Sequence, residues 1–360
     1  MVVPLVFFGA GASSVLDIPS MGQMVPMFLD QRQAHGEVEG LYKKVVDALS
    51  QDGRAMDIEA VFSVVEALAH RTKVEDLGHP ATYLVKEVLS RKDTLSLYRG
   101  EGEAQTATIL LRELEDFVRK ACRLDPSTVS QRFEPYKGLF GALTASSKVQ
   151  SLPRQREPKI PICYIYTTNY DRAIEQFFMT VYGYNSDQLS QPFSQLQDGL
   201  WEFVWDDRAS VSPNGLCLIK LHGSVDWSST KDGRIIRDQN PYSSIGGSEV
   251  TGRKMLYPLQ QKDLYLSPWT HLFRSLRLAL RQAEVGIFVG YRFGDPFVRA
   301  AIQEAFAQDL KKRLLILNPE ANEIAGRLGL TEQQVIPIPN RFGDQAANDE
   351  VRRILDGVPK

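Results

Sequence analysis

The sequence has little cysteine and little net charge. Its three cysteines, Cys122, Cys163 and Cys217, lie far apart, so neighbouring residues supply neither a disulfide framework nor a CxxC zinc pair. A net charge of -2 gives no general attraction to nucleic acid or to anionic membranes. We therefore expect a protein of the reducing cytoplasm, without a direct nucleic-acid site.

Long apolar runs are also missing. The first residues, MVVPLVFFGAGAS, are apolar, but they are far shorter than the ~18 residues that a membrane span requires. They also lack the basic segment that precedes the apolar part of a signal peptide. This stretch is therefore predicted to form a first β-strand, and no membrane association is expected.

What the sequence does contain is a set of short apolar runs, each closed by a polar or glycine-containing turn. Such runs are typical of strands buried on both faces of a parallel sheet. They occupy residues 2–8, 162–166, 216–221, 285–289 and 313–317. The predicted fold is a Rossmann-like, doubly wound α/β sheet, with its core in residues 1–25 and 160–345 of a single domain spanning 1–360.

Residues 26–155 differ from this core because their apolar positions recur with a helical period. A large helical insertion is therefore predicted. The apolar positions are Ile58, Val61, Phe62, Val65, Leu68 and Ala69 in one segment, and Leu110, Leu111, Leu114, Phe117, Val118 and Ala121 in another. Residues 228–254 carry few apolar side chains and are expected to lie outside the core, with Asp232 and Gly233 turning a small ribbon.

Ligands of an open parallel sheet bind outside the carboxyl ends of its strands. In this chain those ends read GAGAS, TTNYD, HGS, GYRFGD and NPE. The residues Gly9, Ala10, Gly11 and Ser13 would let backbone N–H groups approach a pyrophosphate closely. A tight structural turn is the alternative, because Ser14 stands where a GxGxxG motif has its third glycine.

His222 follows the apolar run CLIKL, and its neighbours at the sheet edge are Asn169 and Asp171. An imidazole can take up a proton near neutral pH, so His222 is a candidate for chemistry. A lone histidine after an apolar run can also be purely structural. Cys163 and Cys217 fall inside predicted strands, where a small buried apolar role is expected.

Taken in chain order, the five motifs resemble the NAD-binding fold of the sirtuins. The segment DIPS is similar to that family's Gly-Ile-Pro loop, and DIEAVF is similar to the insertion of its prokaryotic branch. Two departures stand out. The stretch after His222 lacks the four cysteines of the deacylase zinc module, so no zinc is expected, and Ser20, Met21 and Gly22 replace Asp-Phe-Arg.

The chain therefore resembles the sirtuin-like NADases of bacterial antiphage defence. That resemblance implies NAD+ as a substrate that is consumed to nicotinamide and ADP-ribose. It implies that Asn169 orients the attacking water or the ribose hydroxyls, and that His222 accepts a proton. Asp171 would support the nicotinamide pocket, with a helix N-cap as its alternative role.

By the same resemblance, the glycine loop would hold the pyrophosphate. Gly290 and Tyr291 would line the far phosphate and ribose, and Asn318 would meet the adenosine ribose. Asn318 precedes Pro319, so it could instead start a turn. Asp295, just before Pro296, is predicted to cap a helix.

Two other functions stay open at this point. The chain could sense NAD or ADP-ribose without turnover, or it could be a zinc-free deacylase or ADP-ribosyltransferase. Because an unrestrained NADase would harm its own cell, we expect a homo-oligomer and a separate regulatory partner. The resemblance implies a translocating ATPase or an Argonaute-like protein as that partner.

Overall fold

A computed structural model describes most of the chain as two compact units. The first unit contains Met1–Ile18, Leu124–Met255 and Ser267–Lys360, and the second contains Pro19–Arg123 and Leu256–Leu266. The described residues are 2–30, 36–51, 57–69, 101–124, 129–151, 159–184, 189, 191–195, 201–205, 216–230, 233–237, 250–255 and 267–357.

Strands in the described residues form two sheets, both in the first unit. One has six parallel strands in the order β11-β10-β9-β1-β2-β5, and the other has five strands in the order β3-β4-β7-β6-β8. The strands are β1 Leu5–Phe8, β2 Cys163–Thr167, β3 Phe193–Gln195, β4 Trp201–Phe203, β5 Leu216–Lys220, β6 Gly223–Thr230, β7 Ile235–Arg237, β8 Val250–Met255, β9 Val285–Val289, β10 Arg313–Leu317 and β11 Val335–Ile338.

Helices accompany the parallel sheet in the first unit and make up the described elements of the second. The first unit contains α1 Ala10–Ser13, α6 Val129–Arg132, α7 Glu134–Ala145, α8 Ala173–Tyr182, α9 Trp269–Gln282, α10 Pro296–Ala307, α11 Ala321–Arg327 and α12 Gln345–Asp356. The second contains α2 Met21–Asp30, α3 Glu37–Gln51, α4 Ile58–Ala69 and α5 Glu101–Ala121. None of the helices in the described part of the chain combines the length and apolar character needed to cross a membrane.

The six-stranded sheet confirms the predicted doubly wound fold. Its order places β1 in the middle, with β2 and β5 added on one side and β9, β10 and β11 on the other. This is the strand order of dinucleotide-binding folds, and the direction of winding reverses between β1 and β9. The carboxyl ends of β1, β2, β5, β9 and β10 therefore meet at one edge of the sheet.

Strand bounds agree with the prediction for β9 and β10 and to within one residue for β2 and β5. The predicted first strand is too long, because the ladder begins only at Leu5, directly after Pro4. The sixth strand, β11, went unpredicted because Pro337 interrupts its apolar pattern. That proline is tolerated because β11 lies at the edge of the sheet and, among the described strands, pairs only with β10.

The second sheet corrects the expectation that residues 228–254 lie outside the core, because Ser228, Thr230 and Ile235–Arg237 are buried. Residues 231, 232 and 238–249 of this range lie outside the described residues. Strand β6 is buried along most of its length, and Trp227 packs against Phe193 with ring centroids 4.9 Å apart. The predicted ribbon exists: Ser229 pairs with Ile235, and Gly233 has a positive φ of 81° in the turn. Polar residues alternate with apolar residues along β6, so the low average hydrophobicity of this strand underestimates how deeply it is buried.

The helical unit has its own aromatic core. The ring of Phe28 lies 4.6 Å from that of Tyr42 and 5.3 Å from that of Phe117, and the Tyr42 hydroxyl donates to Val25 O at 2.8 Å. Of the apolar helical positions predicted around Val61, all are buried except Ala69, which is half-buried. Within the predicted insertion of residues 26–155, α7 belongs to the first unit, where it packs against α12.

Candidate functional site

The loops after β2 and β5 leave the same edge of the sheet side by side. Thr167 at the end of β2 pairs with Lys220 at the end of β5. Beyond this pair, Leu221 N donates to Thr167 O at 2.8 Å and Val225 N donates to Tyr170 O at 3.0 Å. The two loops are thus joined to each other, and they carry Asn169 and His222.

Asn169 is held in one orientation by the loop after β1. Its Nδ2 donates to Gly9 O at 2.9 Å and to Ser13 Oγ at 2.8 Å, and the side chain is buried. A carbonyl oxygen only accepts, so the NH₂ end of the amide must face Gly9. Among the described residues no donor reaches Oδ1 of Asn169. This oxygen is therefore the acceptor that remains for a bound molecule.

Asp171 uses both carboxylate oxygens within the protein. Ser13 Oγ donates to its Oδ2 at 2.7 Å, and the N–H of Ala173, the first residue of α8, donates to its Oδ1 at 2.8 Å. One hydroxyl thus links the Asn169 amide to the Asp171 carboxylate. The N-cap position of α8 is Arg172, so Asp171 is not the N-cap that was its alternative role, although it accepts from the first N–H of the helix.

A buried charged pair lies beneath this loop. The Nζ of Lys220 donates to Asp171 O, to Tyr170 O at 3.4 Å and to Glu175 Oε1 at 3.3 Å. An ammonium group has three N–H bonds, and these three acceptors use all of them. Lys220 is only 2% exposed, so the pair is shielded from water.

The sequence analysis missed this pair, although a signal for it exists. Lys220 ends the apolar run LCLIK, and a lysine in a buried strand requires a partner. Glu175 stands four residues after Asp171, in the first turn of α8. A search for charged residues inside apolar runs would have found the lysine, whereas its partner follows from the folded structure alone.

His222 contacts a residue from the opposite half of the sheet. Its Nε2 lies 2.8 Å from Oδ2 of Asp295, in the loop after β9, and both side chains are buried. Asp295 also caps α10, as predicted, because its Oδ1 accepts from Phe297 N at 2.7 Å and Val298 N at 3.1 Å. The prediction of a cap did not include the histidine contact.

The ionisation of Asp295 follows from these contacts. Burial acts to raise its pKa, but the hydrogen bond and charge of His222, together with the two backbone donors, lower it further than burial raises it. The pKa of Asp295 is therefore below the ordinary value of an aspartate side chain. The imidazole faces a carboxylate that stays ionised near neutral pH.

The glycine loop after β1 packs directly against the loop after β9. Gly9 N donates to Val289 O at 2.9 Å, and Gly11 N donates to Gly290 O at 3.0 Å. A Cβ on Gly9 would lie 2.6 Å from Tyr291 Cα, so only glycine allows this approach. The N–H groups of Gly9 and Gly11 are thus engaged within the protein, whereas Ala10 and Gly11 are exposed at the sheet edge.

Gly290, Tyr291 and Asn318 lie at the ends of β9 and β10. Gly290 adopts a φ of 59°, a left-handed conformation that favours glycine. The Tyr291 ring packs 4.6 Å from that of Phe7. Asn318 Oδ1 accepts from Glu320 N at 2.9 Å, which is the turn-forming role that was its alternative. All three residues therefore border the point where the sheet reverses its winding.

Two further features concern metal and thiol chemistry. No group of three or more His, Cys, Asp or Glu side chains in the described ranges could hold a metal ion. Cys163 and Cys217 are buried inside adjacent strands, as predicted, and burial raises the pKa of Cys217 to about 12. The Cys217 thiol is therefore protonated near neutral pH.

Comparisons with known proteins give one family match. Residues 164–336, which include Asn169, His222 and Asp295, match the family model of the SIR2-like domain. No curated protein matches the chain significantly.

Several solved structures are similar over most of their length. A mutant Sir2 homologue in complex with ADP ribose is 11% identical with a TM-score of 0.42, over 99% of this chain and 95% of that chain. A Sir2 homologue in complex with NAD is 12% identical with a TM-score of 0.42, over 98% and 90%. These values are low, so the fold assignment rests on the strand order and on the family match.

Proposed function

We propose that this chain, which carries a SIR2-like domain in residues 164–336, hydrolyses NAD+ at the bond between nicotinamide and ribose. The observation that supports the proposal most is that Asn169 and His222 leave adjacent strand ends on loops that are hydrogen-bonded to each other. An amide acceptor and an imidazole thus stand at the edge where a doubly wound sheet binds nucleotides. The match to the SIR2-like domain, together with the resemblance of the five strand-end motifs to the NAD-binding fold of the sirtuins, suggests NAD+ as the substrate.

The departure of nicotinamide requires little catalytic assistance from the protein. Nicotinamide departs as a neutral molecule, because the electron pair of the broken C1′–N bond neutralises its ring nitrogen, so no general acid is needed. Water adds its oxygen to C1′ and loses one proton, giving nicotinamide, ADP-ribose and H⁺. The protein must hold the dinucleotide, stabilise a cationic ribose centre and accept that proton.

Each of these tasks has a candidate residue. Both N–H bonds of the Asn169 amide are used by Gly9 and Ser13, so Oδ1 would accept from the water or from a ribose hydroxyl. His222 would take the proton released by the water. Gly290, Tyr291 and Asn318 would border the rest of the dinucleotide, with the exposed backbone of Ala10 and Gly11 beside its phosphates.

The test incubates purified protein with NAD+ and quantifies nicotinamide and ADP-ribose. We expect Asn169→Ala and His222→Ala each to reduce turnover by roughly 10² to 10⁴. The matched control is Asn322→Ala, an exposed asparagine on α11, which should retain full turnover. Turnover that survives in both site variants would contradict the assignment. NAD+ binding in calorimetry without any cleavage, even inside the assembled complex, would favour the sensing role instead.

The biological role we propose is depletion of NAD+ in antiphage defence. Because such an activity would harm its own cell, it requires restraint. The helical second unit would supply it, through self-assembly or through a regulator such as a translocating ATPase or an Argonaute-like protein. Light scattering after size exclusion tests the first option, and a monomeric mass at micromolar concentration would contradict self-assembly.

A further inference from the structure

The contact between His222 and Asp295 spans the edge of the parallel sheet. Asp295 follows β9 and His222 follows β5, and the strands β1 and β2 lie between them. Neighbouring strands are about 4.8 Å apart, so the ends of β9 and β5 are separated by roughly 14 Å. The 2.8 Å contact therefore bridges across the two strand ends that precede Gly9 and Asn169.

Asp295 is held in place by contacts other than the one with His222. Its Oδ1 is held by two backbone N–H groups at the start of α10, and only its Oδ2 is directed at the imidazole. Aromatic rings lie farther away, with those of Tyr170 and Phe273 centred 6.4 and 6.5 Å from the His222 ring. A carboxylate held by a helix terminus on one oxygen can fix the orientation of a side chain on the other.

We propose that Asp295 is a positioning residue that accepts the Nε2 proton of His222 and thereby leaves Nδ1 as the proton-accepting nitrogen. A neutral imidazole carries one N–H, and the partner of that N–H determines which nitrogen keeps its lone pair. This inference rests on the proposed function for the identity of the proton, which comes from water as its oxygen bonds to C1′. The tautomer itself does not depend on that reaction.

The carboxylate also stabilises the charge that forms. When Nδ1 takes the proton, the imidazole becomes a cation 2.8 Å from Asp295. An opposite charge at this distance favours the protonated form. The ionised state of Asp295, which follows from its lowered pKa, is the state that this role requires.

Two substitutions separate this role from simple helix capping. Asp295→Ser keeps a good N-cap but is too short to reach His222. Asp295→Asn keeps the cap through its Oδ1 and presents an amide NH₂ to Nε2, which would move the imidazole proton to Nδ1. We expect kcat to fall by about 10² in Asp295→Ser and further in Asp295→Asn, with KM little changed. The acidic limb of the pH profile should move to lower pH in Asp295→Ser.

A second readout does not require turnover. Nitrogen NMR of labelled histidine should show the N–H of His222 on Nε2 in the wild type and on Nδ1 in Asp295→Asn, with similar thermal unfolding. Wild-type kcat and an unshifted pH profile in both variants would overturn the proposal and leave Asp295 as a cap alone. Higher turnover in both would also overturn it, since the contact would then be inhibitory. If the wild type shows no turnover, NMR still decides the tautomer, so failure of the hydrolase and failure of this proposal remain distinguishable.

Discussion

The two halves of the sheet edge are held together by opposite means. Around β1 and β9 the loops meet backbone to backbone, and Gly9, Gly11 and Gly290 are required because any side chain would overlap the facing chain. Around β2 and β5 two backbone hydrogen bonds also join the loops, but buried side chains hold them in place, with Ser13 from the loop after β1 joining Asn169 to Asp171 and Lys220 beneath them. We call the loops after β1 and β9 the glycine half, because they fit together only where glycines lack side chains. We call the loops after β2 and β5 the polar half, because their fit depends on hydrogen-bonded pairs of buried polar groups.

This difference predicts how substitutions in each half reduce the stability of the folded chain. In the glycine half an added methyl group forces the backbone apart, so stability and geometry are lost together. In the polar half a removed group leaves its partner buried without a hydrogen bond, and the cost depends on whether that partner is charged. Substitutions can therefore rank the two halves by their effect on the free energy of unfolding.

The largest effect is expected from Lys220→Met. It leaves the Glu175 carboxylate buried without its cation, together with two carbonyl oxygens, and should cost about 3 to 5 kcal/mol in urea unfolding. The matched control is Lys137→Met, which removes an exposed lysine from Glu134 and should cost no more than about 1 kcal/mol. Equal losses in both variants would contradict the buried role of Lys220.

Combining Lys220→Met with Glu175→Leu sharpens this prediction. With both charges gone, most of the lost stability should return, because a buried ion pair is often replaceable by apolar side chains. NAD+ turnover should remain reduced, since the carbonyls of Tyr170 and Asp171 are no longer held. Recovery of turnover along with stability would show that the lysine does not position the Asn169 loop.

Gly290→Ala should have the next largest effect. Its φ of 59° costs an alanine roughly 1 to 2 kcal/mol, and a Cβ there would lie 2.5 Å from Ala12 N. With the overlap included, we expect a loss of about 2 to 4 kcal/mol. The control Gly326→Ala, in α11 with open space around it, should stabilise the chain by up to ~1 kcal/mol. A loss in the control equal to that of Gly290→Ala would contradict the steric explanation.

The same contrast explains what the sequence could predict. The glycine loop and the apolar strands are local patterns, so the parallel sheet and the motif at each strand end followed from residues close in sequence. Capping by Asp295 followed equally, because Asp295 stands directly before Pro296. These features require no knowledge of which strands become neighbours.

Predicting the side-chain network around Asn169 and His222 requires knowing which strands become neighbours. The contacts of His222 with Asp295 and of Asn169 with Ser13 join residues 73 and 156 positions apart, and only the strand order brings them together. Strand β11 and the second sheet were missed for another reason. A proline in one and alternating polar residues in the other weaken the apolar pattern, although both are ordinary in edge strands and in antiparallel sheets.

Ser13→Ala should have a smaller effect than Gly290→Ala. It removes the hydroxyl between the Asn169 amide and the Asp171 carboxylate and should cost about 1 to 2 kcal/mol of unfolding free energy. The neighbouring Ser14→Ala removes an exposed hydroxyl that donates to Gly11 O, and it should change stability by less than about 0.5 kcal/mol. If the two alanine variants unfold alike, Ser13 does not link the two loops.

The smallest effect is confined to acid pH and concerns the contact between His222 and Asp295, which joins the two halves. The pKa of Asp295 in the folded chain lies below its ordinary value of 3.8, so the unfolded chain binds the proton more readily. The stabilisation from this carboxylate is therefore complete above about pH 4 and is lost as pH falls through the folded pKa. The stability difference between wild type and Asp295→Asn should shrink as pH falls below about 4 in urea titrations. The difference between wild type and Gly290→Ala should stay constant, and a parallel decrease there would show that global charge, and not Asp295, causes the change.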